Sequence, residues 1–589
     1  MRIATPKPFR SAHRAALLTA CLLAMQAAFA IAEEAPGGHA SVHQQQEAVA
    51  TSERIMAEAK RRSGLLSQYL FMRDAYANSN DFAFRVIFNQ YLSWYQTWVG
   101  NYPGARTSFS IVQKAARDDS PSPLDEGGYH AEPAVDAIAR LAKGRQAVFF
   151  NENHSNPQTR SLTVQMLARL RAEGFDSFAS ETLYPDDIED LVKRGYTTSA
   201  SGFYTEEPVY SDMINTAIKL GYRVYAYESS DSTGDAREAD QARNLKRQVF
   251  KDHPDARLVV NAGYAHIQEH GKYLDGKAMA QHFARITDID PLTIEQTMLI
   301  SHEKTASDHP YYRAVMSKLA PREPIVFVNK DDKPWSLKND AYDVSVFFPE
   351  QSLQKGRPTW LALGGLRKPF EVTGHMCDEQ YPCMVEARPI GQPEAAIPAD
   401  RLVIEFKSRL VGHDDKVRQS SDPEPVAELW LRPGTYEIYS RDRSNNISHR
   451  ERITVPGAAP GAASSPTLRP RPSAPIRMPD ALAICCSCPA WARAAPGTIR
   501  FPATCTTSRV AWFPTTLKPN VGRFSPMCVP CSRPAERAGK TSSMSPCSSP
   551  TCSATLPPTT VSMPNISRQH SPAAPPWASP PCPLPSLSS

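Results

Sequence analysis

The chain has 589 residues, of which 41% are hydrophobic and 22% are charged, and its formal net charge is +5. The positive charge lies at the two ends: residues 460–589 hold 12 Lys and Arg against two acids, and residues 1–32 hold four basic residues and no acid. Residues 33–459 therefore keep 50 basic and 59 acidic residues, a net charge of −9, so the overall positive charge is no evidence for nucleic-acid binding and we expect no nucleic-acid partner.

The first residues predict a secretory signal peptide over residues 1–32. Basic residues precede the apolar run 15–30, and small residues suited to cleavage follow at Ala28, Ala30 and Ala32. A lipobox at residues 18–21 is the alternative. No later run reaches the ~18 apolar residues of a membrane-spanning helix. We therefore expect a protein of the periplasm or the extracellular space without a transmembrane helix in the mature chain.

Residues 41–127 predict a helical segment. An amphipathic stretch at 52–76 is followed by an aromatic-rich stretch at 81–100. Aromatic residues at helical spacing are usually core residues, so we expect this helix to pack on the main domain. A ligand-binding aromatic face is the alternative.

Residues 128–335 predict an α/β domain with a largely parallel sheet flanked by helices. Predicted helices alternate with predicted strands, which indicates βαβ units. The predicted strands are 146–152, 176–181, 222–228, 257–263, 291–297 and 324–329, and the predicted helices are 131–144, 157–174, 185–195, 211–221, 236–252 and 276–286.

Residues 336–456 predict a β-rich module, since the helical period disappears and short alternating runs are separated by Pro, Gly, Asn and Asp. The runs are 342–348, 359–365, 370–374, 383–390, 401–406, 427–431, 434–442 and 450–455. Some of them can instead extend the α/β domain. Asn445 and Asn446 fit a hairpin turn.

Cys377 and Cys383 are expected to form a disulfide in an oxidising compartment. The alternative adds His375 to them as a metal ligand.

Residues 457–589 predict a disordered, low-complexity tail. From Pro460 onward the chain holds 26 of its 53 prolines and 9 of its 12 cysteines, and it shows no sustained period of either 2 or 3.6 residues. Such a composition buries too little apolar surface to offset chain entropy. The abrupt change after Val455 also fits a shifted reading frame.

Truncation after Pro456 is expected to leave a folded protein, because the tail offers no pattern of core residues. Thermal unfolding of the truncated and full-length chains tests this. Loss of the cooperative transition on truncation would show that the tail is structural.

Acids and histidines stand at the ends of four predicted strands. Glu152 and His154 end the first, Glu181 the second and Glu228 the third, and His266 follows the fourth. Ligands of parallel sheets bind outside the carboxyl ends of the strands, so these side chains are expected to converge on one catalytic site. Arg160 should lie in the first turn of the next helix, to bind an anionic group or to anchor Glu181.

Four motifs, NENHSNPQTR, FASETL, READQARNL and NAGYAH, resemble the erythromycin esterase and ChaN-like haem-binding superfamily, to which the Tiki metalloproteases and GumN proteins are related. The resemblance covers roughly residues 130–300. It implies that Glu152, His154 and His266 are functional and that Glu181 accompanies them. Macrolide esterases have two residues between the first Glu and His; this chain has one, which is closer to the ChaN-like branch.

Together these features predict a secreted, hydrolase-like enzyme acting on a small-molecule or peptide substrate. His154, oriented by Glu181 or Glu152, would activate water for attack on an ester or related carbonyl, while His266 or Arg160 stabilises the oxyanion. A divalent metal bound by the two glutamates and two histidines is a variant mechanism. The alternatives are a haem- or iron-binding protein with Tyr264 as a ligand, and a metal-dependent protease.

A zinc-protease pattern, H-x-x-E-H, also occurs at residues 266–270. It requires both histidines on one helix face. Gly263 just before and Gly271 just after leave little room for such a helix.

Overall fold

In the computed structural model the described residues are 41–457, apart from 126–127, 230–231, 274–275, 379, 406–409, 412–416 and 419–424. The predicted signal peptide (1–32) and all but the first residue of the predicted tail (457–589) lie outside them. The helices are α1 Val42–Ala59, α2 Leu65–Ala77, α3 Phe82–Trp98, α4 Tyr102–Ser108, α5 Ala134–Leu141, α6 Gln158–Ala172, α7 Ile188–Arg194, α8 Pro208–Lys219, α9 Gly234–Leu245, α10 Met279–Thr287 and α11 Pro310–Leu319.

The strands are numbered in chain order. They are β1 His130–Pro133, β2 Ala147–Glu152, β3 Ser177–Ser180, β4 Arg223–Ala226, β5 Leu258–Gly263, β6 Leu292–Glu295, β7 Ile325–Val328, β8 Val344–Ser345, β9 Leu353–Gln354, β10 Arg357–Pro358, β11 Lys368–Thr373, β12 Cys383–Pro389, β13 Asp400–Ile404, β14 Leu410–Val411, β15 Val417–Arg418, β16 Pro425–Leu431, β17 Gly434–Arg441 and β18 Ile447–Val455.

The predicted parallel sheet is confirmed. Six strands lie in the order β4-β3-β5-β2-β6-β8, and every neighbouring pair is parallel. Every residue of the central strands β2 and β5 is buried, because helices cover both faces of the sheet. Along β2, Val148 and Phe150 join the core on one face, while Ala147 and Phe149 join the core on the other. The carboxyl ends of the parallel strands lie at the same edge of the sheet.

The N-terminal helices pack against this domain, as the aromatic pattern predicts. The stretch predicted at 52–76 is broken into two helices near Gly64, whose φ of 74° suits glycine. Two tryptophans of α3, Trp94 and Trp98, lie edge-on against Phe203, with ring centroids 5.1 and 5.3 Å away. Helix α3 therefore supports the loop that contains Phe203.

Two predicted elements are wrong in detail, and one alternative left open by the sequence is decided. Residues 130–133, partly assigned to a helix, form β1, which pairs with β7 in a separate antiparallel ribbon, so β7 is not part of the parallel sheet. Residues 359–365 form a 3₁₀-helical segment in place of a strand. The run 342–348 contributes β8 to the parallel sheet, so it extends the α/β domain.

The rest of the C-terminal region is β-rich. Strands β13, β12, β17 and β18 form an antiparallel sheet, and β11 pairs with β16. The hairpin turn is confirmed: Asn445, with a φ of 68°, joins β17 to β18. Cys377 and Cys383 are joined by a disulfide within the core of this module. Within 41–457, no helix of the described part is long and apolar enough to cross a membrane.

Candidate active site

Strand order brings two of the predicted residues, Glu152 and Glu181, together. Strand β5 lies between β2 and β3, and the register pairs Glu152 at the end of β2 with Gly263 at the end of β5. Glu181 follows β3 directly, and its carboxylate accepts a hydrogen bond from the Gly263 amide at 2.5 Å. The two glutamates thus flank the end of β5.

His154 is oriented by Glu152. Its Nδ1 lies 2.9 Å from Glu152 Oε1, and Arg160 Nη2 donates to the same oxygen at 2.8 Å. Burial acts to raise the pKa of Glu152, but the charge of Arg160 and the hydrogen bond from His154 lower it below its ordinary value. An ionised carboxylate only accepts hydrogen bonds, so His154 Nδ1 is the donor. In the neutral imidazole, Nε2 is then an acceptor, and it faces Glu181 at 3.8 Å from Oε2.

His266 forms a second histidine–glutamate pair. Its Nδ1 lies 2.7 Å from Glu238 Oε2, which also accepts from the Met279 amide at the start of α10. Its Nε2 lies 3.5 Å from Glu181 Oε1. Burial acts to lower the pKa of His266, but Glu238 and Glu181 raise it above its ordinary value. His266 is therefore held in its charged form to higher pH than a free histidine.

Glu181 is the centre of the site. Each of its oxygens faces one histidine Nε2, and Arg237 Nη2 donates to Oε1 at 3.1 Å. Burial acts to raise the pKa of Glu181, but His266, His154, Arg237 and the Gly263 amide together lower it to about 2. Glu181 is therefore a carboxylate at any pH at which the protein is expected to work.

Glu228 holds Arg237 in place. Arg237 Nε and Nη2 donate to its two oxygens at 2.8 and 2.6 Å, and Gln241 donates to Oε1 at 2.9 Å. Glu228 therefore reaches the site only through Arg237. It is a positioning residue, and the role predicted for it as a catalytic group is not supported by its contacts.

Arg160 lies in the first turn of α6, as predicted, but it does not anchor Glu181. It is 1% exposed, and its two Nη atoms bind Glu152 and Glu207, each at 2.8 Å. Glu207 in turn accepts from two amides at the start of α8. With both Nη groups engaged by buried carboxylates, Arg160 serves to position Glu152.

The exposed edge of the site consists of His154, Glu181 and Tyr264. His154 and Glu181 are each 5% exposed, whereas His266 is 1% exposed. The ring of Tyr264 lies edge-on to the His154 ring, with centroids 5.2 Å apart. The ring of Tyr204 stacks on the face of the His154 ring, with centroids 4.0 Å apart. Burial and the charge of Glu152 raise the pKa of the Tyr264 phenol, so it remains a proton donor at neutral pH. His154 and Tyr264 are therefore more accessible to solvent than His266.

The backbone at this edge is strained. Thr182 and Tyr264, the residues that follow Glu181 and Gly263, have φ values of 59° and 44°. Such conformations are costly for residues with a Cβ and cluster at functional sites. They aim the ends of β3 and β5 at the same point.

Gly263 fits closely beneath the side chains of His154 and Glu181. A Cβ at this position would lie 2.3 Å from His154 Nε2 and 2.9 Å from Glu181 Oε2. The site therefore requires glycine at the end of β5.

Gly263→Ala is expected to reduce turnover roughly 10- to 100-fold, since a misplacement of about 1 Å has effects of this size. Gly144→Ala is the control: its Cβ would meet nothing within 4 Å, but its φ is 76°. That variant should lose about 1 kcal/mol of stability and keep its activity. Activity and melting temperature of both variants test this, and full activity in Gly263→Ala would contradict the geometry.

Sequence reasoning missed four residues of the site: Tyr204, Glu207, Arg237 and Glu238. Arg237 and Glu238 lie in the READQARNL motif, on a helix whose polar residues look solvated in the sequence, and both are buried.

The H-x-x-E-H pattern is not a zinc site: His266 lies in a four-residue 3₁₀ segment, His270 is exposed, and Glu269 binds Thr293.

The predicted metal ligands do not fit a metal ion. Arg237 Nη2 lies 3.1 Å from Glu181 Oε1, and its Nη1 lies 3.4 Å from His266 Nε2, so a guanidinium occupies the position a cation would take. Glu152 is engaged by Arg160, His154 and Asn261. Among the residues described, no three His, Cys, Asp or Glu side chains form a metal-binding group.

No family model matches the sequence, and no curated protein matches it. Solved structures with partial likeness include bacterial protein toxins (13% identity, 38% of this chain and 52% of that chain, TM-score 0.22) and the type III effector HopBA1 (14%, 30% and 94%, 0.21). A third is RRSP, a MARTX toxin effector domain from Vibrio vulnificus (16%, 38% and 51%, 0.21). The chain spans about half the length of the first and third of these chains. At such TM-scores we infer neither fold nor function from them.

Proposed function

We propose that this protein is a secreted or periplasmic hydrolase that activates water for attack on an ester or related carbonyl. One observation carries the proposal: two acceptors, His154 Nε2 and Glu181 Oε2, lie 3.8 Å apart at the exposed edge of the sheet. A water molecule between them can donate one hydrogen bond to each, which leaves a lone pair for attack.

His154 is the general base. Glu152 fixes its tautomer through Nδ1, so that Nε2 accepts the proton of the attacking water. The charge of Glu181 then stabilises the imidazolium that forms. Positioned general bases of this kind contribute typically ~10²- to 10⁴-fold to the rate.

The Tyr264 hydroxyl is the oxyanion donor on the exposed side. It lies 3.3 Å from Asn153 Oδ1, and its ring contacts His154. Arg160 and His266, the two oxyanion donors predicted from the sequence, are each 1% exposed. A substrate would therefore contact Tyr264 before either of them. In this proposal His266 and Arg237 hold Glu181 ionised and in place.

In the reaction, the water oxygen bonds to the carbonyl carbon while its proton passes to His154 Nε2. The carbonyl oxygen becomes an oxyanion stabilised by Tyr264. The tetrahedral intermediate then expels the alkoxide, which takes the proton back from His154. An acid and an alcohol leave, and the enzyme returns to its starting state.

A panel of simple acyl esters tests the proposal. We expect turnover by the purified chain and loss of it in Tyr264→Phe and His154→Ala, with Tyr225→Phe as a control on the neighbouring β4. A Soret band on haem titration without ester turnover would instead favour the haem-binding alternative and contradict a hydrolase.

Chelators are expected to leave hydrolysis unchanged, because Arg237 occupies the position of a cation. Turnover and metal content should be measured before and after treatment with EDTA. Loss of activity that returns on adding zinc or manganese would show that the metal-dependent mechanism, including a protease of the Tiki type, is right.

A further inference from the structure

Three arginines surround one glutamate on one face of the sheet in the C-terminal module. Glu386 and Arg388 lie on β12, and Arg401 on β13 is the register partner of Glu386. The Glu386 carboxylate lies 3.4 Å from Arg401, 3.2 Å from Arg388 and 3.1 Å from Arg441 on β17. All four side chains are at least nine-tenths buried. Two further carboxylates lie near the cluster: Glu394 is 2.7 Å from Arg441, and Glu206 is 3.9 Å from Arg401.

Arg388 is the arginine without a carboxylate of its own. Arg441 also binds Glu394 at 2.7 Å, and Arg401 donates to the Glu206 carbonyl at 3.0 Å. The Nε and Nη1 atoms of Arg388 are buried and have no hydrogen-bond partner among the residues that the structure describes. Other buried arginines in the described chain are better compensated: Arg237 lies 2.6 Å from Glu228, and Arg357 lies 2.6 Å from Asp400.

Such an arrangement is costly without an anion. A buried charge that lacks a partner destabilises a fold, and guanidinium N–H groups rarely stay unpaired. Burial acts to raise the pKa of Glu386, but the three arginines lower it. Glu386 is therefore ionised, and its negative charge is already included when the charges of the cluster are added up. Glu394, which borders the cluster, has a side chain that is 67% exposed, so the cluster lies just beneath the surface.

We propose that Arg388, with Arg401 and Arg441, forms a binding site for an oxyanion, a phosphate or carboxylate group. Planar guanidinium donors match the geometry of such groups. The site lies across the loop 203–207 from the catalytic centre: Arg401 binds Glu206 on one side, and Tyr204 stacks on His154 on the other. The inference does not depend on hydrolysis.

Thermal unfolding of the full chain in inorganic phosphate, with sodium chloride at equal ionic strength as reference, tests the site. We expect the melting temperature to rise with the logarithm of phosphate concentration. Arg388→Gln should abolish this shift, and Arg452→Gln, which changes an exposed arginine of the same sheet, should keep it. No phosphate-specific shift in the natural chain, or an equal shift in Arg388→Gln, would overturn the proposal.

Three further measurements test the proposed site. Arg388→Met should be as stable as the natural chain, or more so, in phosphate-free buffer, because an uncompensated charge is removed; a clear loss of stability would mean a structural ion pair. If Arg388→Gln does not fold, Arg388→Lys should bind phosphate about tenfold more weakly, since its ammonium lacks the planar donors. A larger shift with phenyl phosphate than with phosphate would indicate a phosphate carried on a larger molecule, and a smaller one a free anion.

Discussion

Replacing His154 with alanine is expected to lower hydrolysis by ~10²- to 10⁴-fold, the usual effect of losing a general base, and replacing His266, which positions Glu181, is expected to remove most of the activity as well. The double variant should be scarcely worse than either single one. Groups that serve one transition state are strongly non-additive, and here both histidines act on the same carboxylate. In the proposed mechanism His154 accepts the proton beside Glu181 Oε2, and His266 Nε2, 3.5 Å from Glu181 Oε1, holds that carboxylate in place.

The measurement is kcat/KM for the four proteins of the cycle, together with their melting temperatures. His270→Ala is the matched control, since that histidine is exposed and outside the site. Stable variants with undiminished turnover would end the active-site interpretation. Fully additive losses would mean that the two histidines act in separate steps.

Arg160→Met is expected to destabilise the fold by about 3–5 kcal/mol, the range for breaking a buried ion pair. Glu152 and Glu207 are fully buried, and Arg160 contacts both at 2.8 Å. Removing the guanidinium leaves two carboxylates without their cation in the core of the α/β domain. Methionine keeps the length of the side chain, so the loss reports mainly the charge.

Arg169→Met on the same helix is the control. Its partner Asp136 and the arginine itself are both more than half exposed, so that pair should contribute about 0–1 kcal/mol. Urea unfolding of the two variants gives the comparison. If Arg160→Met is as stable as Arg169→Met, Arg160 is not needed to compensate the charges of Glu152 and Glu207.

The sheet and the convergence of its strand ends were predictable from sequence. Residues such as Glu152 and Glu181 directly follow apolar runs, and the carboxyl ends of parallel strands share one edge. The apolar run at 324–329 fits a central or a peripheral strand equally well, and only its pairing with 130–133 shows that β7 lies outside the parallel sheet.

The pairing of Glu152 with His154 and Arg160 was predictable, but the further buried partners Glu207, Arg237 and Glu238 were not. Arg160 finds Glu207 at a separation of 47 residues, on a loop that carries no strand signal. Arg237 and Glu238 occur among other charged residues of a polar helix, where the sequence favours a solvated face. Their burial follows from the packing of α9 beside β5 and α10, which is a tertiary effect.

The most direct test of the account is a single turnover of an ester in water labelled with heavy oxygen. If His154 and Glu181 activate water, the released acid carries one labelled oxygen after the first turnover, and His154→Ala releases almost none in the same time. An unlabelled acid from the first turnover, with the label later found in Glu181, would show that this carboxylate attacks the ester itself and would contradict the proposed mechanism.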